Sequence, residues 1–167
     1  MNGGRQVPVS AYIGLGSNLD DPNRQIDDAF TLLDALPESD VVSRSSLYRS
    51  APYGPVEQPD FINAVAGLQT MLAAESLLEL LQGIECAQGR AREHQRWGPR
   101  VIDLDLLVYG DQEITDSVLT VPHPGIAERN FVLLPLREIA PNLLIPGLGS
   151  LSDIVVDMDE PRIERIS

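Results

Sequence analysis

At 167 residues and 18.2 kDa, with 43% apolar residues and a formal charge of −13, the chain has the length of one domain and the apolar content for a core. Its acidic balance argues against a general nucleic-acid or acidic-membrane binder. No apolar run approaches the ~18 residues of a membrane span, and the first residues, MNGGRQVPVS, lack the apolar segment of a secretory signal, so a soluble, cytoplasmic protein is expected.

All twelve basic residues are arginines. A P-loop lysine, a Schiff base and a lysine general base are therefore excluded, and any phosphate chemistry must run on arginine and metal. The single Cys86 cannot form an internal disulfide, and with two separated histidines it offers no zinc set; its place among helical leucines suggests a small core residue.

Taken in order, residues 7–15 read as a strand, and Gly14-Leu15-Gly16-Ser17-Asn18 as a tight strand-to-helix turn, since no third glycine follows at dinucleotide-binding spacing. Asp21 as cap and Pro22 at the first position open a helix whose buried stripe is Ile26, Ala29, Phe30, Leu33 and Leu36, with Pro37 ending it. A second strand is expected over 41–50. The loop Ala51 to Asp60 holds three prolines, which cannot donate to a ladder, so it is an exposed connection long for a hairpin. A third strand runs from Phe61 to about Thr70. Its period of two puts Phe61 and Asn63 on one face, where a ring and an amide suit a flat heterocycle, or where Phe61 is core and Asn63 a polar strand end. A second helix follows from about Ala74 to Gln88, burying Leu77, Leu78, Leu81 and Ile84.

That helix delivers the chain to a local reversal of charge. Arg90, Arg92, Arg96 and Arg100 stand against one Glu93, a balance of +3, around a Trp97-Gly98-Pro99 loop. A strand follows whose alternation puts Asp103 and Asp105 on one face, with Cα atoms roughly 6.6 Å apart. Two such carboxylates can grip one divalent ion, or a pair of ions about 3.5–4 Å apart. Oxygen ligands without nearby thiolate favour Mg²⁺, which shares its sphere with substrate phosphates, and guanidinium forks match phosphate oxygens. Alone, Asp-x-Asp on an edge strand reads first as a solvated face; joined to the arginines, it points to a polyphosphate with metal.

The order of strand, helix, strand, strand, helix, strand is the α+β, ferredoxin-like βαββαβ unit, an antiparallel sheet with both helices on one face and the site on the other, helix-free face. Beyond it, Gly110-Asp111-Gln112 turns into a short extra strand, and Thr120-Val121-Pro122-His123-Pro124 is a rigid loop that either places His123 for function or simply turns the chain. A short apolar helix is expected from Arg129-Asn130-Phe131 through Leu134, interrupted by Pro135. The C-terminal extension closes with Leu151, Ile154 and Val155 on an amphipathic turn and, from about residue 157, a mobile acidic tail.

Arg96-Trp97-Gly98-Pro99-Arg100-Val101-Ile102-Asp103-Leu104-Asp105-Leu106-Leu107 resembles the signature of the 6-hydroxymethyl-7,8-dihydropterin pyrophosphokinases of the folate pathway. Three further stretches resemble that family in the same order: Tyr12 to Leu19, Tyr53-Gly54-Pro55 with Gln58 to Ala64, and Val121-Pro122-His123 through Arg129. The resemblance implies transfer of the β,γ-pyrophosphoryl unit of ATP to the pterin hydroxymethyl group, releasing AMP. It implies Asp103 and Asp105 as ligands of two Mg²⁺ ions, and Arg90, Arg92 and Arg100 as phosphate-facing arginines, with Trp97 helping to close the site. By the same resemblance, Phe61 and Phe131 sandwich the pterin, Asn63 reads its edge, and Ser50 and Tyr53 lie nearby. Gln82, Glu85, Thr120, His123 and Arg129 are the implied ATP-side contacts. The chain departs from the family's pattern at Phe61, Glu93, Val118 and Pro124. ATP and the pterin are the implied partners of a monomer, with no nucleic acid and no membrane. Two other readings are a nucleotidyltransferase, whose Gly-Ser and Asp-x-Asp elements sit much closer in sequence than Ser17 and Asp103, and a non-catalytic ferredoxin-like ligand-binding module.

Overall fold

The computed structural model of the protein describes residues 7–52, 55, 57–89 and 101–166. In chain order these form β1 (Val9–Ser17), α1 (Pro22–Asp34), β2 (Ser39–Arg44), β3 (Tyr48–Ser50), β4 (Phe61–Thr70), α2 (Ala74–Ala87) and β5 (Asp103–Tyr109). There follow β6 (Ile114–Thr115), β7 (Thr120–Val121), α3 (Asn130–Ile139), β8 (Leu144–Ile145), β9 (Gly149–Ser150) and β10 (Ile163–Arg165). The main sheet runs β10-β3-β4-β1-β5, with β2 also on β4, and every pairing is antiparallel. This is the expected ferredoxin-like α+β arrangement, with β1 between β4 and β5.

Periodicity explains the first layer. Ile26, Ala29, Phe30 and Leu33 fall at i, i+3, i+4 and i+7 of α1, and Leu77, Leu81 and Ile84 at i, i+4 and i+7 of α2. These stripes meet Ala11, Ile13 and Leu15 of β1, Ile62, Ala64, Ala66 and Leu68 of β4, and Leu104 and Leu106 of β5 in one cluster. The opposite face is not helix-free as the sequence suggested. There α3 lays Val132, Leu133 and Leu136 on Val65 and Leu107. The helix also runs on through Pro135 rather than breaking there, because Val132, Leu133, Pro135 and Leu136 are all buried and offset the hydrogen bond that the proline ring removes.

Five other expectations are corrected. Residues 41–50 form two strands, not one: between them Ser45 donates its N–H to Val65 O at 2.9 Å while Ser45 Oγ accepts Val65 N–H at 2.8 Å, a side chain standing in for the ladder. Gly14 and Gly16 lie within β1 instead of forming a turn. Asp21 occupies the start of α1 with φ 63° but makes no side-chain cap, and Cys86 is exposed rather than core. Where a mobile tail was expected, Ile163–Arg165 pair with β3, placing Ile163 opposite Ser50.

Candidate active site

Sheet register builds the site. Gly16 of β1 pairs with Asn63 on one side and Asp103 on the other, and Gly14 pairs with Val65 and Asp105. Directly opposed residues share a face, so Phe61, Asn63, Asp103 and Asp105 all project toward the α3 side. Asp103 and Asp105 are half-buried there, while the intervening Leu104 points into the core. Two strand spacings, roughly 10 Å, separate the Asn63 and Asp103 backbones, and only Gly16 lies between them along that row. The result is a side-chain-free floor flanked by an amide and a ring on one side and two carboxylates on the other. A Cβ at Gly16 would have only Asn63 Oδ1 near it, at 3.5 Å, so that oxygen looks across the floor. The role of the two glycines was missed in the sequence; their spacing of two within a strand was the available signal.

The walls are held by polar bonds. Asn63 Nδ2 donates to Ser50 Oγ at 2.9 Å and to Tyr48 O at 3.3 Å. A carbonyl can only accept, so the nitrogen must face Tyr48 and the oxygen the floor. Buried Asn18, also missed in the sequence, donates to Gln58 Oε1 and Pro59 O, both at 2.9 Å, tying the end of β1 to the approach to Phe61.

At the β5 edge, His123 donates its backbone N–H to Leu107 O at 2.8 Å, and its Nδ1 accepts Gly125 N–H at 3.0 Å. Burial holds the imidazole below the ordinary histidine range; Arg129 nearby adds to this and Asp103 opposes it. The ring is therefore neutral at pH 7 and, with Nδ1 accepting, presents Nε2–H as a donor. Arg129 packs over Gly125, where a Cβ would lie 2.7 Å from Nε, so the missing side chain makes room for the guanidinium.

Gln82 and Thr120 are exposed on α2 and β7, and Phe131 is half-buried in the first turn of α3. Glu85, implied as an ATP contact, is 4% exposed, and its Oε2 accepts Leu104 N–H at 2.8 Å. Tyr53, Arg90, Arg92, Trp97 and Arg100 lie outside the described residues.

Asp103 and Asp105 fit a hard cation: paired oxygen donors, partly exposed, on one rigid strand. Among the described residues no group of three or more acidic, histidine or cysteine side chains could hold a metal.

Residues 12–141 match the model of the 7,8-dihydro-6-hydroxymethylpterin-pyrophosphokinase family. The chain belongs to that family. Its relatives include the 2-amino-4-hydroxy-6-hydroxymethyldihydropteridine pyrophosphokinases of Haemophilus influenzae, 41% identical over 95% of this chain and 99% of that protein, and of Pseudomonas aeruginosa, 45% identical over 93% and 95%. Among solved structures, a Plasmodium falciparum HPPK-DHPS variant with pterin and p-hydroxybenzoate superposes with a TM-score of 0.70 at 14% identity, covering 99% of this chain and 48% of that one. The wild-type P. falciparum HPPK-DHPS with pteroate gives a TM-score of 0.69 at 13% identity over 90% of this chain and 42% of that one. This chain thus spans under half the length of those two structures, and the likeness to them is one of fold. The pyrophosphokinase is an enzyme of pyrophosphoryl transfer in folate biosynthesis, which sets aside both the nucleotidyltransferase and the ligand-binding module.

Proposed function

We propose that the chain transfers the β,γ-pyrophosphoryl unit of ATP to the hydroxymethyl group of 6-hydroxymethyl-7,8-dihydropterin, with Asp103 and Asp105 as the ligands of two Mg²⁺ ions. The observation that carries this reading is the register that sets both carboxylates across a glycine floor from Phe61 and Asn63. In the reaction the hydroxymethyl oxygen forms a bond to the β-phosphorus. The bond from that phosphorus to the α,β-bridging oxygen breaks, its electrons leave with AMP, and the hydroxyl proton passes to solvent. When bound, the two ions neutralise phosphate charge and polarise the reacting oxygens.

The chain's own residues supply position and donors. Phe61 and Phe131 stack on the pterin, and Asn63 Oδ1, held by the bonds of its nitrogen to Ser50 and Tyr48, accepts from the donor edge of the heterocycle. His123 Nε2–H and Arg129 face the nucleotide phosphates, with Gln82 and Thr120 at its periphery. Arg90, Arg92 and Arg100 neutralise the triphosphate, Trp97 helps to close the site, and Tyr53 adds a contact beside Ser50. Glu85, also an ATP-side residue in this reading, holds the start of β5 through Leu104 N–H. The same reading has a single-domain, cytoplasmic monomer, to be checked by elution at the 18.2 kDa of one chain. No helix of the described residues is long and apolar enough to cross a membrane.

The test is the product. With Mg²⁺, ATP and the reduced hydroxymethylpterin, AMP should accumulate in step with pterin diphosphate. Formation of ADP in place of AMP would contradict the proposal.

A further inference from the structure

The family match ends at residue 141, yet the last turns of the chain reach back to the pterin side of the site. Ile163 pairs with Ser50, whose Oγ receives the Asn63 amide, and Ala51 N–H donates to Arg162 O at 2.9 Å. The Arg162 guanidinium lies 3.6 Å from the carboxylate of Asp60, the residue before Phe61. Asn130, the residue before Phe131, donates its amide nitrogen to Asp157 O at 2.6 Å and to Pro161 O at 2.7 Å. Ser50, Phe61 and Phe131 come from three distant parts of the chain, and one segment contacts the residue at or beside each.

We propose that residues 157–166 are a positioning element for the pterin subsite, holding Ser50, Phe61 and Phe131 in mutual register. This rests on the assignment of those residues to the pterin. An edge strand that merely shielded β3 would need only its ladder. The Asn130 clamp goes further: this residue is 2% exposed and its Oδ1 has no partner among the described residues, so its burial is sustained by the two bonds to the C-terminal segment. The exposed Arg162–Asp60 pair adds little energy, but it lies on the same side of the site. The nucleotide side is held separately, with Arg129 seated on Gly125 and His123 on the Leu107 carbonyl.

The experiment compares the full chain with Asn130→Ala, Asn130→Ser and a truncation after Glu160, measuring AMP formation with each substrate varied and the fold by circular dichroism. Loss of the clamp should raise the pterin KM on the order of tenfold, the effect of a lost buried hydrogen bond, while the ATP KM stays within about twofold. A purely structural role would lower stability without separating the two constants. An unchanged pterin KM in the folded Asn130 variants, or an equal rise in both constants, overturns the inference, and those variants decide it even if the truncated chain fails to fold. Phe61→Ala and Phe131→Ala are the controls. If they leave the pterin KM unaltered, the subsite assignment itself fails, and this inference with it.

Discussion

The strands β1, β4 and β5 present two faces of opposite character. Toward α1 and α2, every inward residue from Ala11 to Leu15, Ile62 to Leu68 and Leu104 to Leu106 is apolar and buried. Toward α3 the same strands are graded: Val65 and Leu107 lie in the apolar cluster, and one step along each strand come Asn63 and Asp105, with Gly14 and Gly16 between them. A face that is apolar throughout can only pack. A face that changes character along its length lets α3 cover one half and leaves the other for a charged ligand, so rigidity and chemistry reside on the same strands.

The largest effect should come from the polar half. Asp103→Ala or Asp105→Ala should lower turnover by roughly three orders of magnitude with the circular dichroism spectrum unchanged. Near-normal activity in both variants would remove the metal role. The packed face should respond in the reverse sense: Leu81→Ala, at a side chain with no exposure, should lose about 3 kcal/mol in denaturant melts while the folded fraction keeps its kcat. A matching loss of kcat would show that the two faces are not separable.

The glycine floor is a finer probe. Gly16→Ala places a methyl in ordinary contact with Asn63 and should be tolerated, whereas Gly16→Leu should fill the floor and raise the pterin KM about tenfold or more at near-normal stability. Equal kinetics for the two variants would mean that no ligand lies over β1.

The smallest effect concerns the anchoring of α3. Burial works to raise the Glu138 carboxyl, but hydrogen bonds from Tyr48 and Ser46, with Arg165 nearby, hold it below its ordinary value; burial and Glu138 push Tyr48 up to about 12. A lowered carboxyl contributes stability that is present above its unfolded pKa of about 4.3 and lost as pH falls through the folded value. Tyr48→Phe should therefore lower stability near pH 7 by under about 1 kcal/mol, discounted for the exposure of Glu138, and should flatten the acid decline. A decline as steep as in the parent would remove Tyr48 from the linkage.

Local patterns carried much of this into the sequence. The third expected strand is β4 residue for residue, and a period of two sufficed to put Asp103 and Asp105 on one face. What stayed hidden depends on contacts between distant residues. The serines at 45 and 46 bond backbone and Glu138 instead of extending one strand, and the burial of α3 outweighs Pro135. The pairing of Ile163 with Ser50 and the inward turn of Glu85 likewise need partners far along the chain. Cys86 shares its helix with buried leucines but falls on the solvent side of their stripe.

The central claim is that Asp103 and Asp105 form a cation site completed by nucleotide phosphates. Titration calorimetry of the parent and of Asp105→Asn with a non-hydrolysable ATP analogue, with and without Mg²⁺, tests it most directly. The account predicts nucleotide binding that is tightened by Mg²⁺ in the parent and loses most of that dependence in the variant. An identical Mg²⁺ dependence in both proteins would contradict it.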